Sequence, residues 1–274
     1  MRKYTGLLLI LLGSWLTGTA QPAIHPDSII YACPPCDNTC DTIRFAKGGI
    51  CPICGMTLEK ISPNDWRVRL KRLAAGPPKE VTVCLYLQDG VEVLDFAGPL
   101  EVFTAAGFKV FTVSRTSNVI QSQRIIPIRP NYSIDNAPPA DLIVFFGGQT
   151  DASMKDSTLL AWIRARSLSA TYTMSVCTGA FILGKAGVLD HLTATTHQYY
   201  TDAFASTVPT TKVLPHQRFV DNGKVITTAG VSAGIDGALH LVEKIRGREF
   251  AKEVAEMIEY DKWVPDQGLI LQHQ

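Results

Sequence analysis

The fold of this chain is decided by one stretch, Thr171-Tyr-Thr-Met-Ser-Val-Cys-Thr-Gly-Ala-Phe-Ile-Leu-Gly-Lys185. The pattern predicts a short strand up to Val176 and a helix from Thr178, so Cys177 falls at the sharp turn between them. The helix N-terminus favours the thiolate, which is the nucleophilic form of cysteine. The stretch is the cysteine counterpart of the G-x-S-x-G nucleophile elbow. It predicts a reactive Cys177 with a pKa below that of free cysteine, or alternatively a buried structural cysteine.

Strand-like and helical patterns alternate after residue 80. Buried strands are predicted at 81–87, 109–114, 141–146, 171–176 and 225–228, and helices at 95–106, 159–168, 178–185, 233–246 and 249–260. This alternation indicates an α/β fold in which helices cover both faces of a mainly parallel sheet. Ligands bind such folds at the C-terminal ends of strands, where the pattern places Asp95, Gly147-Gly148 and Cys177.

The first 20 residues have the parts of a signal peptide. Arg2 and Lys3 form a charged start, residues 6–16 are apolar, and Gly18-Thr-Ala20 fits a small-x-small cleavage site. The apolar stretch is shorter than the roughly 20 residues that a membrane span needs, so the mature protein is expected to have no integral span. We therefore expect export, to the periplasm in a cell with two membranes. The net charge of +1 gives no indication of nucleic-acid binding.

Five of the seven cysteines are crowded into one short segment: Cys33, Cys36, Cys40, Cys51 and Cys54. Two C-x-x-C pairs, Cys33/Cys36 and Cys51/Cys54, have nearly the spacing of ribbons in which four thiolates bind Zn. Residues 30–61 are too few to fold on an apolar core alone, so a metal is expected to hold this module together.

The module leaves several alternatives open. Cys40 can replace Cys36 as a ligand, and Met56 keeps Cu(I) possible beside Zn. Disulfides are the alternative in an oxidising compartment, and a redox role is a third. After the module, residues 62–79 contain several prolines and are predicted to be a connector.

Five motifs of the larger part occur in a fixed order: Leu94-Asp-Phe-Ala-Gly-Pro-Leu-Glu-Val-Phe103, Phe146-Gly-Gly148, Val176-Cys-Thr-Gly-Ala180, Ala194-Thr-Thr-His197 and Thr228-Ala-Gly-Val-Ser-Ala-Gly-Ile-Asp236. Together they resemble the ThiJ/PfpI family of the class I glutamine amidotransferase-like superfamily, in a domain spanning residues 80–265. Within it, they are most similar to isonitrile hydratase and to the sensor domains of amidase-like transcription regulators. The sequence Cys51-Pro-Ile-Cys-Gly-Met-Thr-Leu58 resembles small heavy-metal-binding modules of copper- and zinc-handling proteins.

The resemblance implies a flavodoxin-like three-layer sandwich, a homodimer and a reactive elbow cysteine, with functional positions at Asp95, Cys177 and Thr178. The protease and chaperone branches carry His where this chain has Thr178. None of the six histidines has Glu two residues later, so ammonia release from glutamine is not expected. Few residues follow Pro265, so the helix-turn-helix domain of the regulators is not expected either.

Each candidate residue has a chemical role and a structural alternative. Cys177 would attack an electrophilic carbon, and Asp95 would move the proton, unless Asp95 only caps its helix. The backbone N–H groups of Gly148 and Thr178 would hold negative charge, unless the glycines only form a turn. His197 either leans over the pocket or is a structural histidine.

The predicted function is an exported, cysteine-dependent hydratase or hydrolase of a small molecule, with isonitrile hydration as the example. The catalytic domain is expected to need no cofactor. One alternative is a redox or ligand sensor whose Cys177 oxidises to sulfinate. The other is a metal-handling protein in which the larger domain is a docking scaffold.

Overall fold

A computed structural model describes residues 29–36, 38–74 and 79–271, together with the side chains of this part except those of residues 72–74. The expected signal peptide and its cleavage site near Ala20 lie outside the described residues. The chain divides between Lys79 and Glu80 into two compact units.

The small unit is an antiparallel three-stranded sheet followed by one helix. Its elements are β1 (Ile30–Ala32), β2 (Arg44–Phe45), β3 (Glu59–Ile61) and α1 (Pro63–Ala74), and the strand order is β2-β1-β3. Trp66 of α1 is buried against β1, and the Arg69 guanidinium forms an ion pair with Asp41 at 3.0 Å. Helix α1 lies in the segment that was predicted to be a connector. It belongs to the small unit, because Trp66 packs against β1 and Arg69, one turn later, pairs with Asp41.

The large unit contains a main sheet of eight strands and two short two-stranded ribbons. Its strands are β4 (Thr82–Tyr86), β5 (Lys109–Ser114), β6 (Ile120–Ser122), β7 (Ile126–Ile128), β8 (Tyr132–Ser133), β9 (Leu142–Phe145), β10 (Tyr172–Val176), β11 (Thr193–Ala194), β12 (Lys212–Val213), β13 (Phe219–Asp221), β14 (Val225–Thr228) and β15 (Leu269–Ile270). The sheet order is β15-β13-β14-β10-β9-β4-β5-β8, and β13 with β14 is the one antiparallel neighbour pair recorded in this sheet. The remaining four strands form two ribbons, β6–β7 and β11–β12.

Helices lie on both faces of this sheet. They are α2 (Val93–Ala105), α3 (Asp151–Lys155), α4 (Ser157–Ser169), α5 (Gly179–Lys185), α6 (Thr201–Thr207), α7 (Ala233–Arg246) and α8 (Arg248–Met257). Successive side chains of a strand point to opposite faces. In β4, Val83 and Leu85 join a core with α2, α7 and α8, whereas Cys84 and Tyr86 join one with α4, α5 and α6.

The predicted fold class is confirmed as a flavodoxin-like, three-layer α/β sandwich with a mainly parallel sheet. The buried Cys84 belongs to its core, as the apolar run around it predicts. No helix in the described part of the chain is long and apolar enough to cross a membrane.

Candidate active site and metal centre

Cys177 lies at the turn between β10 and α5, at the C-terminal edge of the sheet. Its backbone has φ 58°, a left-handed conformation that is uncommon for a residue with a side chain. At Gly179, an added Cβ would lie 2.5 Å from the Phe145 carbonyl oxygen, so the turn brings α5 close to β9. The strand–turn–helix geometry predicted for the elbow is present, and Cys177 as a residue is 7% exposed.

Asp95 is the partner of this thiol. It lies fully buried in the first turn of α2, beside the Cys177 side chain, whose pKa its charge raises. Its oxygens accept backbone N–H groups from two other segments, Gly147 at 2.9 Å and Val231 at 3.0 Å. Asp95 therefore holds three strand ends together rather than capping its own helix.

The pKa values of the pair are both raised. Burial raises the pKa of Asp95 to about 6, although the N–H groups of Gly147 and Val231 oppose the shift. Burial and the charge of Asp95 raise the pKa of Cys177 to about 12. The expectation of a lowered Cys177 pKa is thus wrong, because desolvation and a neighbouring anion outweigh the N-terminus of a seven-residue helix.

This electrostatic arrangement places a base beside a protonated nucleophile. At neutral pH, Asp95 is mainly carboxylate and the neighbouring Cys177 is a thiol. A nucleophile hydrogen-bonded to a positioned base is the usual way to activate a weak nucleophile. The pair can therefore pass the thiol proton to Asp95 as the sulfur attacks.

The two glycines after β9 shape the site in different ways. A Cβ on Gly147 would lie 2.7 Å from both Asp95 Oδ2 and Thr178 Oγ1 and 2.8 Å from Cys177 Cβ, so only glycine leaves room for all three. Gly148 has φ 102°, and its N–H donates to Thr178 Oγ1 at 3.2 Å. Because the Gly148 N–H already bonds the Thr178 hydroxyl, it is not free in this structure to hold negative charge together with the Thr178 N–H, as the sequence predicts.

Val231 supplies a backbone hydrogen-bond donor to the site that was not predicted from the sequence. The Val231 N–H donates to Asp95 Oδ1 at 3.0 Å, and the backbone N–H groups of Thr178 and Val231 oppose the rise of the Cys177 pKa. Val231 is β-branched yet has φ 55°, a strained conformation of the kind that persists at functional sites. It lies inside the motif Thr228–Asp236, but no property of its side chain marks it as a site residue.

A cleft of about 550 Å³ opens over the thiol. His197 lies on its wall, with the rings of Tyr199 and Tyr200 tilted against it at centroid distances of 5.2 and 5.6 Å. The His197 Nδ1 accepts the Tyr199 N–H at 3.3 Å, so the other ring nitrogen, Nε2, takes no part in this hydrogen bond. The two tyrosines were not predicted, although they follow directly on the Ala194–His197 motif.

The rest of the cleft wall combines apolar, neutral polar and acidic residues. Phe181 and Met154 add apolar surface, while Glu92 and Asp151 add carboxylates. The described residues that line the cleft include no lysine or arginine. The cleft therefore suits a small, uncharged or cationic molecule with an apolar body.

The cysteines of the small unit form a candidate metal centre. The Sγ atoms of four of them lie within 4.8 Å of one another: Cys33, Cys40, Cys51 and Cys54. Four thiolates around a tetrahedral Zn at about 2.3 Å have sulfurs about 3.8 Å apart, so the donor set fits such an ion. All seven cysteines of the chain are free thiols in the structure.

A tight turn orders one half of this centre. The Cys51 N–H donates to the Met56 carbonyl at 2.7 Å, and the Gly55 N–H donates back to Cys51 at 2.9 Å with φ 77° at Gly55. Hydrogen bonds from Cys33 and from the Met56 N–H lower the pKa of Cys54 to about 6. Cys36 lies outside the four-sulfur set, in a neighbouring group with Cys40 and Asp41.

Comparison with known proteins agrees with this geometry. Residues 81–244 match the model of the DJ-1/PfpI family. The chain belongs to the DJ-1/PfpI family. Residues 30–61 match the heavy metal binding domain, which covers the cysteine cluster of the small unit.

Several relatives of the DJ-1/PfpI domain are informative. The chain is 34% identical to isonitrile hydratase of Pseudomonas putida over 173 residues, which are 62% of this chain and 74% of the relative. It is 24% identical to the HTH-type transcriptional regulator GbdR of Pseudomonas aeruginosa over 57% of this chain and 42% of the regulator. The crystal structure of a ThiJ/PfpI family protein from Pseudomonas syringae superposes with a TM-score of 0.63 and 30% identity, over 69% of this chain and 78% of that one.

Proposed function

We propose that this protein is an exported hydratase that uses Cys177 to add water to a small isonitrile and gives an N-substituted formamide. The observation that carries the proposal is the buried Cys177–Asp95 pair at the elbow, beneath a cleft lined by apolar and polar side chains. The 34% identity to isonitrile hydratase supports the choice of substrate class. We further propose that it acts in the periplasm as a homodimer.

The first step is addition of the thiol to the isonitrile carbon. Cys177 Sγ forms a bond to this carbon, its proton passes to Asp95, and Asp95 returns the proton to the same carbon. The product is a thioimidate, S–CH=N–R, and no atom is lost. The raised pKa of Asp95, about 6, suits a group that must both accept and donate a proton near neutral pH.

The second step is hydrolysis of the thioimidate. Water adds to the carbon while Asp95 accepts one of its protons and the nitrogen gains a proton. Collapse of the resulting adduct breaks the C–S bond, releases the formamide and returns the Cys177 thiol. The N–H groups of Thr178 and Val231 favour negative charge on the sulfur as it leaves.

Thr178 and His197 have supporting roles. The Thr178 hydroxyl is fixed by the Gly148 N–H and faces the cleft, where it can orient water. His197 lines the same cleft with Tyr199, where its ring can hydrogen-bond water or the substrate nitrogen.

The small unit is proposed to bind one Zn ion through Cys33, Cys40, Cys51 and Cys54. When bound, the ion supplies cross-links that a unit with so small an apolar core lacks. Thiolates also suit Cu(I), and metal analysis of the purified protein distinguishes the two.

The test is turnover of cyclohexyl isocyanide by the full chain, followed as formamide by mass spectrometry. Cys177→Ala is expected to abolish turnover, and Asp95→Asn to lower it on the order of 10²- to 10⁴-fold. Cys84→Ala is the matched control, because it removes another buried thiol away from the cleft. Turnover by Cys177→Ala at the parent rate would refute the mechanism.

A redox or ligand sensor is the second candidate, favoured by the similarity to GbdR. A sensor would turn over no isonitrile, and peroxide would convert Cys177 to sulfinate in the parent. Export is tested separately, by cell fractionation and by sequencing the N-terminus of the mature protein, which is expected to begin after Ala20.

A further inference from the structure

The small unit has one more thiol than a tetrahedral ion uses. The proposed set takes Cys33, Cys40, Cys51 and Cys54 and leaves out Cys36, which lies in a second group of possible ligands with Cys40 and Asp41. Cys36 is half-buried, whereas Cys33, Cys40 and Cys51 are almost fully buried. The spare thiol is therefore open to reagents that do not reach these three ligands.

The spare thiol lies against one particular ligand. Cys36 Sγ is 3.2 Å from Cys40 Sγ. The Asp41 carboxylate holds this loop by accepting the Cys36 N–H at 3.2 Å, and it is itself held by Arg69 of α1 at 3.0 Å. Cys36 is thus fixed beside a metal ligand without belonging to the four-sulfur set.

We propose that Cys36 and Cys40 form a redox-sensitive pair that releases the metal when a small-molecule disulfide oxidises it. The ion would lose one of its four ligands when the Cys36–Cys40 bond forms. The inference rests on the proposed metal set but not on the chemistry at Cys177.

The exchange proceeds in two balanced steps. The Cys36 thiol gives up its proton to solvent and attacks a disulfide R–S–S–R, which forms Cys36–S–S–R and releases R–S⁻. The Cys40 sulfur then leaves the metal and attacks Cys36 Sγ, which forms the Cys36–Cys40 disulfide and releases a second R–S⁻. The two cysteine sulfurs lose two electrons, and the added disulfide gains them.

The position of Cys36 explains why this pair reacts in preference to others. Thiol–disulfide exchange needs an accessible attacking sulfur and a second thiol within reach. Cys54 is also half-buried, but as a proposed ligand its sulfur is committed to the ion. Cys36 alone among the five cluster thiols combines partial exposure with freedom from the ion.

The experiment uses the full chain loaded with Zn, whose content is measured first. Oxidised glutathione is added, released Zn is followed with a chromophoric chelator, and disulfides are mapped by mass spectrometry. The parent is expected to release about one Zn per chain as the Cys36–Cys40 disulfide accumulates, and dithiothreitol with Zn is expected to reverse the change. Cys36→Ser is expected to bind the same amount of Zn and to release it at least about tenfold more slowly.

Cys84→Ser is the control, since it removes a thiol from the large unit and is expected to release Zn at the parent rate. A parent chain without metal overturns the metal assignment itself. Given a loaded parent, three results overturn the redox pair alone: release from Cys36→Ser at the parent rate, a mapped disulfide between other cysteines, or loss of Zn binding in Cys36→Ser. None of these readouts depends on turnover at Cys177.

Discussion

Replacing Gly147 by alanine tests whether the site depends on the close approach of three groups. The added Cβ would lie 2.7 Å from Asp95 Oδ2 and Thr178 Oγ1 and 2.8 Å from Cys177 Cβ, whereas ordinary contact begins at 3.4 Å. The three groups must therefore move apart by several tenths of an ångström. A misplacement near 1 Å can lower a rate by about 10²-fold, so we expect kcat for isonitrile hydration to fall on the order of 10²-fold.

The stability effect of this change must be separated from its effect on geometry. Overpacking a buried site typically costs about 1–3 kcal/mol. Gly107→Ala provides a control of similar cost, because Gly107 has φ 70° and an alanine there loses about 1–2 kcal/mol through backbone strain. No atom lies within 4 Å of its added Cβ, so the site is left intact.

The assay is steady-state formamide formation, with melting of both variants measured in parallel. Gly107→Ala is expected to melt lower than the parent but to keep its kcat within about twofold. Gly147→Ala is expected to lose activity while remaining folded at the assay temperature. A folded Gly147→Ala variant with the parent kcat would show that the contact among Asp95, Cys177 and Thr178 is not required.

Three further predictions follow from the titrating groups and the metal centre. The pKa of Asp95 is raised to about 6, and its carboxylate is the base. The value of kcat/KM should therefore rise with pH through about 6 and level off above it. A profile that is flat from pH 5 to 8 contradicts this role. Because the pKa of Cys177 is raised to about 12, its alkylation rate by iodoacetamide should still be increasing at pH 9. The Cys177→Ala variant is the blank that identifies this thiol. A plateau of the rate below pH 8 would be evidence for a thiolate and against the raised pKa. Removal of metal by a chelator should unfold residues 30–61 and leave the large unit folded, because each unit has its own core. Hydrogen exchange measures the protection of the two units separately. Loss of protection in β10 after chelation would contradict this independence.

The elements that the sequence predicts well are those whose residue pattern is strong over their whole length. The strands Lys109–Ser114 and Val225–Thr228 and the helix Ala233–Arg246 have the predicted bounds, because apolar residues follow one period throughout. The short strand Phe219–Asp221 was not predicted, since three residues beside a turn carry too little pattern. Helix α1 was hidden by the prolines and charges of a segment that resembles a connector.

The candidate site was predictable in position but not in electrostatics. Cys177 and Asp95 both follow strand ends of one parallel sheet, so the fold class alone brings them to the same edge. The pKa of Cys177 depends on burial and on the distance to a carboxylate, and neither is written in the local sequence. Val231 acts through its backbone N–H, which every residue except proline possesses, so its identity gives no signal.

The hydrogen bond between Val231 and Asp95 spans 136 residues of sequence, and that between Gly147 and Asp95 spans 52. Contacts of such separation form late, since the chain entropy of closing long loops must first be overcome. The site around Cys177 is therefore complete only when the segment after β14 has docked. A chain truncated before Val231 would lack one of the two backbone donors to Asp95, and alkylating probes would measure the effect of this loss on Cys177. The reactivity of this one side chain thus reports whether the whole large unit has been completed.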